Sequence, residues 1–348
     1  MRALLCPLAL SCFSLTCNAD APRYANVDNL YANVARRVAA GEFESLLQEA
    51  VRYQKSQERL PDGRWKLAVF YDVLGWGYAR AAHGEDDWSR MQSALATQAN
   101  AHPTSSNAWL MLAALSESHA WAVRGSGYID TVSPAGYTRF QELLEESRAV
   151  LYGHRSALAD NPQWYAMRIA IGGYEGDASA ELDAVFAEAQ RNSPGYQQTW
   201  FVRLNFLTPK WGGSVAQMVD FIVRSAQLPS ATDGLGLTAR LLRYADEDEY
   251  PDLVRQPGID WAVVKKAYDD VLARFPVNFN AQYYVLEACG KSDKDETRHL
   301  LERVRADAPH PDLGTRAGIY SLCADWADGK IPGFALPDAI TGQDVEIR

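Results

Sequence analysis

Apolar residues along this chain recur at helical spacing, and the alternation that marks half-buried strands with hairpin turns is absent. Between Asp28 and Ala40, Leu30, Val34 and Val38 fall on one helical face, Asp28 is placed to cap the helix and Gly41 stops it. A second helix restarts over Glu42–Ser56 with acidic residues in its first turn, where the helix dipole favours them. The pairing continues with Lys66–Ala82 and Asp86–Ala101, and Ser105 or Ser106 opens a helix running through Trp109, Leu112 and Leu115. Further helices are predicted over Tyr137–Leu151, Gln163–Ile171, Ala178–Asn192, Ser214–Gln227, Asp260–Phe275, Asn280–Cys289, Asp293–Ala306 and Thr315–Asp328.

Punctuation between the helices repeats as well. Asn161-Pro162 and Ser193-Pro194 lie about one repeat apart, as do Phe275-Pro276 and Ala308-Pro309, and the spacing is close to the ~34 residues of the tetratricopeptide class. The stretch Ala267–Asn278 reads as the end of a second repeat helix followed by its helix-stopping proline. The expected fold is all-α: a tetratricopeptide-like superhelix of stacked antiparallel helix pairs with degenerate repeats. Loops interrupt it at Ser126–Gly136, Leu207–Ser214 and Pro229–Gly236. One such domain is expected over residues 20–330, and residues 331–348 lose periodicity and read as an irregular C-terminal tail.

The first residues follow another logic. Ala3–Thr16 is uncharged, apolar and too short for the ~20 residues that span a bilayer, but of the length of a secretory h-region. Cys17-Asn18-Ala19 places small residues before a cut at Asp20, so residues 1–19 are expected to be a cleaved signal peptide. A lipoprotein signal fits poorly, because Ser14-Leu15-Thr16-Cys17 departs from the usual run of small residues. Export implies a periplasmic or secreted protein without a transmembrane anchor after cleavage. The cut removes Cys6, Cys12 and Cys17, leaving Cys289 and Cys323 for an oxidising compartment. These two either form a disulfide or act as buried small apolar residues. Matching positions of successive stacked helices lie about 10 Å apart, farther than the ~7 Å between Cα atoms that a disulfide spans.

Lys and Arg number 34 against 44 Asp and Glu, a net charge of −10. An acidic chain exerts no broad pull on nucleic acid or anionic lipid, so neither is an expected partner. The richest stretch for chemistry is Trp121-Ala122-Val123-Arg124-Gly125-Ser126-Gly127-Tyr128. Arg124 there suits an anionic group, with Gly125 and Gly127 permitting close approach; the alternative is a helix end at which Arg124 pairs with an acid or caps carbonyls. No Gly-Lys-Ser/Thr follows, so this is not a nucleotide-phosphate loop. Leu207-Thr208-Pro209-Lys210-Trp211-Gly212-Gly213-Ser214 is the second stretch: Lys210 and Trp211 form either a binding wall or a connector with a docked indole. The six histidines show no metal-helix spacing, and no cofactor or metal is expected. Asp246-Glu247-Asp248-Glu249 lacks calcium-loop spacing and reads as a solvated charge run.

Residues 120–128, AWAVRGSGY, followed by Val132 and Phe140, resemble the bacterial family called domain of unknown function 4034. Asn161-Pro162 with Trp164-Tyr165, LTPKWGGS at 207–214, and Gly236 followed by Ala239-Arg240 are similar to the family's other marks in order and spacing. The likeness is strongest from Ala101 to Arg243 and continues more weakly through Asn278–Trp326. The family has Leu-Pro before its Lys-Trp-Gly-Gly, whereas Thr208 intervenes here. The resemblance implies an exported or envelope-associated helical protein and supplies no activity. Trp121, Arg124, Gly125, Gly127, Tyr128, Trp211, Gly212 and Gly213 are then residues of its structure or its site. The resulting expectation is a non-enzymatic scaffold that binds an envelope protein or peptide. A small-molecule or glycan site in which Trp121, Tyr128 and Trp211 meet is the alternative, and a hydrolase with paired carboxylates is a third.

Overall fold

The computed structural model describes residues 25–125, 127, 131–247, 250, 253–304, 309–310, 313–314 and 316–332. Among them are sixteen α-helices. In chain order these are α1 (Ala25–Ala39), α2 (Phe43–Ser56), α3 (Lys66–Ala81), α4 (Glu85–Ala101), α5 (Ser106–Arg124) and α6 (Pro134–Gly153). Next come α7 (Arg155–Leu158), α8 (Pro162–Glu175), α9 (Ser179–Asn192), α10 (Gln198–Asn205) and α11 (Val215–Ala226). The series closes with α12 (Gly236–Glu247), α13 (Trp261–Arg274), α14 (Asn278–Gly290), α15 (Lys294–Val304) and α16 (Arg316–Ala327). The described residues hold only isolated bridges and no named strand, so the expected all-α class of helix hairpins holds. The expected signal peptide lies outside the described residues, as does the expected tail apart from Ile331 and Pro332.

Caps decide where several helices begin. The Asn161 side chain accepts from the Gln163 N–H at 3.0 Å, with Pro162 at the first helical position of α8. Ser133 accepts from Gly136 N–H and lets α6 begin at Pro134, within the expected Ser126–Gly136 loop. Ser214 and Asp260 cap α11 and α13 in the same way.

Two kinds of helix alternate. Outer helices bury one stripe: α4 buries Trp88, Met91, Leu95 and Ala99 at three- and four-residue spacing. Inner helices are enclosed: every residue of α5 from Asn107 to Trp121 is buried, and so is every residue of α14 from Phe279 to Gly290. A tryptophan in the first turn of an inner helix locks it to the end of the preceding outer one. Trp109 donates to Pro103 O at 3.0 Å, Trp164 to Leu151 O at 3.1 Å and Trp200 to Gln190 Oε1 at 2.8 Å. Polar side chains at the inner helix starts satisfy one another: Asn107 Oδ1 accepts from Tyr71 and Asn161, and its amide donates to Gln54.

The helices gather into two compact units. The first comprises residues up to Arg59 and Arg64–Arg203; the second comprises Leu60–Gly63 and everything from Leu204 onward. The excursion at Leu60–Gly63 is pinched by a bridge between Arg59 and Trp65. Within the second unit, Asp62 O accepts from Arg240 Nη2 at 2.8 Å and from Asn280 Nδ2 at 3.2 Å. Gly63 has φ +91°, and a Cβ there would stand 1.9 Å from Arg240 Nη2, so only glycine fits.

In the second unit Cys289 on α14 and Cys323 on α16 form a disulfide, with Cα atoms 5.8 Å apart. The ~10 Å expected for matching positions does not apply, because α16 packs directly on α14. Helices α10 and α12 have no counterpart among the helices expected from sequence. Both bury charged residues, Arg203 in one and Arg240, Arg243 and Asp246 in the other, which obscures the apolar face.

Candidate functional site

The two motifs singled out in the sequence belong to different units. In the first unit, Trp121 is buried near the end of α5, edge-on to Phe140 at 5.2 Å and Tyr174 at 5.0 Å. It is packed, not presented. Arg124 lies over the Trp121 and Phe140 rings, 5.0 and 5.6 Å from their centres. Its Nη1 donates to the carbonyls of Gly125 and Gly127, both at 3.0 Å. Arg124 therefore ties down its own loop, the carbonyl-capping alternative raised by the sequence. Gly125 ends α5 with φ +75°, and a Cβ on Gly127 would meet Thr131 Oγ1 at 2.3 Å. Tyr128 lies outside the described residues.

In the second unit, Pro209–Trp211 forms one 3-10 turn, with Lys210 exposed and Trp211 half-buried against Phe206 at 5.1 Å. Gly212 closes the turn with φ +83°. A Cβ on Gly213 would lie 2.1 Å from the carbonyl oxygen of Leu207. That clash is with backbone, so Gly213 is required by the connector's own close approach.

A different group of residues stands out in the first unit. Most charged side chains buried on its inner helices are paired: Arg168 with Asp177 at 2.5 Å, and Arg203 with Asp183 at 2.8 Å. Glu117 on α5 is not. It is 7% exposed, and its Oε1 is fully buried with no hydrogen-bond partner. Beside it is Asp72 on α3, which accepts from the Tyr31 hydroxyl of α1 at 2.9 Å. The two inner helices approach closely here, since a Cβ on Gly75 would stand 3.0 Å from Ser118 Oγ. Burial, then the charge of Asp72, pushes the Glu117 carboxyl up to about 8. Burial also raises Asp72, opposed by the Tyr31 hydrogen bond and the charge of Arg64. Asp72 is nevertheless open to water.

The second unit has a pair of similar make-up. Asp246 on α12 and Glu287 on α14 are 9% and 6% exposed. Arg316 of α16 holds Asp246 Oδ1 at 3.0 Å and its backbone carbonyl at 2.9 Å. The Tyr268 hydroxyl donates to Glu287 Oε1 at 3.3 Å. Burial raises Asp246 to about 6 against the pull of Arg316, and burial followed by the Asp246 charge raises Glu287 to about 8. This corrects the expected solvated run at Asp246, which is interior; Glu247 is exposed and faces Arg243 at 3.5 Å, while Asp248 and Glu249 lie outside the described residues.

Spacing did not point to either pair. One sequence signal does: Glu117 is the lone charged residue between Asn107 and Trp121, and Glu287 the lone one between Phe279 and Gly290. Among the described residues there is no cluster of three or more His, Cys, Asp or Glu side chains able to hold a metal ion. No described helix is long and apolar enough to cross a membrane. An open groove of about 530 Å³ between α13 and α15, lined by residues that include Asp269, His299 and Glu302, contains none of the unbonded buried polar atoms. Compared with known families, with curated proteins and with solved structures, the chain finds no match.

Proposed function

We propose that this chain is an exported helical-repeat protein of the bacterial envelope that binds a polypeptide partner and performs no catalysis of its own. The observation that carries the reading is Glu117, a buried carboxyl whose Oε1 has no hydrogen-bond partner and which feels the charge of the exposed Asp72. A polar group buried without a partner destabilises a fold by roughly 1–3 kcal/mol, which is tolerable when a ligand supplies the missing bond. Stacked helix hairpins suit extended partners. Export is supported by the apolar Ala3–Thr16 run and by the Cys289–Cys323 bond, since structural disulfides persist in oxidising compartments. The resemblance at residues 120–128 and 207–214 agrees with an envelope setting. Cross-linked affinity capture of the full chain from envelope extract, read by mass spectrometry, tests it. One envelope protein should be enriched, and the enrichment should be lost in an Asp72→Asn, Glu117→Gln variant. Capture that is absent, or unchanged in the variant, overturns the reading.

The hydrolase reading keeps one specific support. Glu117 holds its proton at neutral pH beside a second carboxyl, as a general acid must. Release of reducing ends from cell-wall glycan, abolished by Glu117→Gln, would establish it; a flat time course removes it. For the glycan-wall reading, Trp121 is already used in packing.

A further inference from the structure

In the second unit, α13 and α15 both rest on α14. At their first turns they are joined: Trp261 Nε1 donates to Asp293 Oδ2 at 2.7 Å, and Lys265 Nζ lies 3.6 Å from Asp293 and 3.9 Å from Glu296. Beyond these bonds the groove of about 530 Å³ opens between Asp269, Leu272 and Ala273 on α13 and His299, Leu300 and Arg303 on α15. Both sets recur at the three- and four-residue spacing of one helical face. Leu272 and Leu300 are buried beneath the opening and give it an apolar floor. Its rims are acidic on both sides: Asp269 of α13 and Glu302 of α15 are exposed, and among the described residues neither has an ion-pair partner. Three carboxylates line the groove against the positive charge of Arg303, and Lys265 already engages one of them, Glu296.

An exposed carboxylate ordinarily meets only water; here two of them flank a strip of apolar surface, which water serves poorly. The geometry points to this groove as a docking site for a basic amphipathic helix of the polypeptide partner, with its apolar face on Leu272, Ala273 and Leu300 and its Lys or Arg side chains against Asp269 and Glu302. The inference rests on the binding reading above and supplies a surface and a partner chemistry that the reading left open. An acidic helix would make the same apolar contacts but set like charges against both rims.

The test uses the full chain and a labelled amphipathic helical peptide, Leu on one face and Lys on the other, followed by fluorescence anisotropy. This peptide should bind; the same peptide with Glu in place of Lys, or with Gly in place of Leu, should not. Ala273 is exposed, so Ala273→Arg fills the groove without entering the core. It also places a cation four residues beyond Asp269, the spacing at which helical side chains pair. That variant should melt as the wild type does and bind the peptide about tenfold or more weakly. The double variant Asp269→Asn, Glu302→Gln should weaken binding about fivefold. Asp86→Asn with Glu181→Gln, which removes the same charge from exposed positions of the first unit, should change affinity by less than about twofold. Equal weakening in that control would show attraction to net charge only and overturn the groove. Undiminished binding in Ala273→Arg, equal binding of the Gly-substituted peptide, or no binding by the wild-type chain would overturn it too. A failed peptide arm alongside capture of an envelope partner that survives Ala273→Arg would reject the groove and leave the binding reading standing.

Discussion

The two carboxyl pairs are built from the same parts and finished differently. Each joins an Asp on one inner helix to a lone Glu on the next, and burial raises all four groups. In the second unit, Arg316 and Tyr268 reach in from neighbouring helices and each carboxyl gains a partner, although Asp246 Oδ2 is itself buried without one. In the first unit Tyr31 donates to the outer carboxyl, and Glu117 Oε1 stays without a hydrogen-bond partner. Burial of acids alone therefore does not mark a site. The pairs differ in the ion pair: Asp246 is held by Arg316 through Oδ1 while its Oδ2 stays unbonded, and no described cation bonds Glu117.

The largest effect should come from breaking the closed pair. Arg316→Ala leaves Asp246 interior with no cation, and losing one partner of a buried ion pair costs about 3–5 kcal/mol. Denaturant unfolding followed by a probe in the second unit should show that loss, whereas a change below about 1 kcal/mol would mean the pair behaves as a surface contact. A smaller effect, of opposite sign, is expected from the open pair. A carboxyl raised to about 8 when folded and titrating near 4.3 when unfolded holds more protons in the folded state. Its stabilisation is full below pH ~4 and is lost as pH rises through ~8. Wild-type melting temperature should thus fall between pH 5 and 9, by an amount on the order of a few kcal/mol in stability. Glu117→Gln should recover roughly 1–3 kcal/mol at pH 9 and nothing at pH 4. A pH profile of melting unchanged by the variant would show that Glu117 is not the desolvated group described. Asp295→Asn sets the floor: its side chain is 96% exposed and pairs only with Arg298, so the change in melting should be within about 0.5 kcal/mol.

Most of the helical frame was legible because its signals are local. Asn161-Pro162 and Ser214 mark helix starts by their own side-chain chemistry, and Gly41 lies just past the end of α1. Helix α12 was not legible, because Thr238, Arg240, Arg243 and Asp246 are polar by type and interior by position. The same conflict hid the candidate site. Asp72 and Glu117 are 45 positions apart and meet only through the packing of α3 on α5. Conversely, the motifs around Arg124 and Gly213 were conspicuous because they encode tight local geometry. Conspicuous sequence there reports how a loop is held, and the inconspicuous lone Glu marks the buried carboxyl.

The short Leu60–Gly63 segment has a consequence for the order in which the chain is made. It leaves the ribosome early, flanked on both sides by residues of the first unit. Its Asp62 carbonyl must then wait for Arg240 and Asn280, which are synthesised far later. The second unit cannot be completed from the C-terminal part of the gene alone. A break in the coding sequence between Arg203 and Leu204 would look natural by helix count, yet it would strand one strut of the second unit on the wrong fragment.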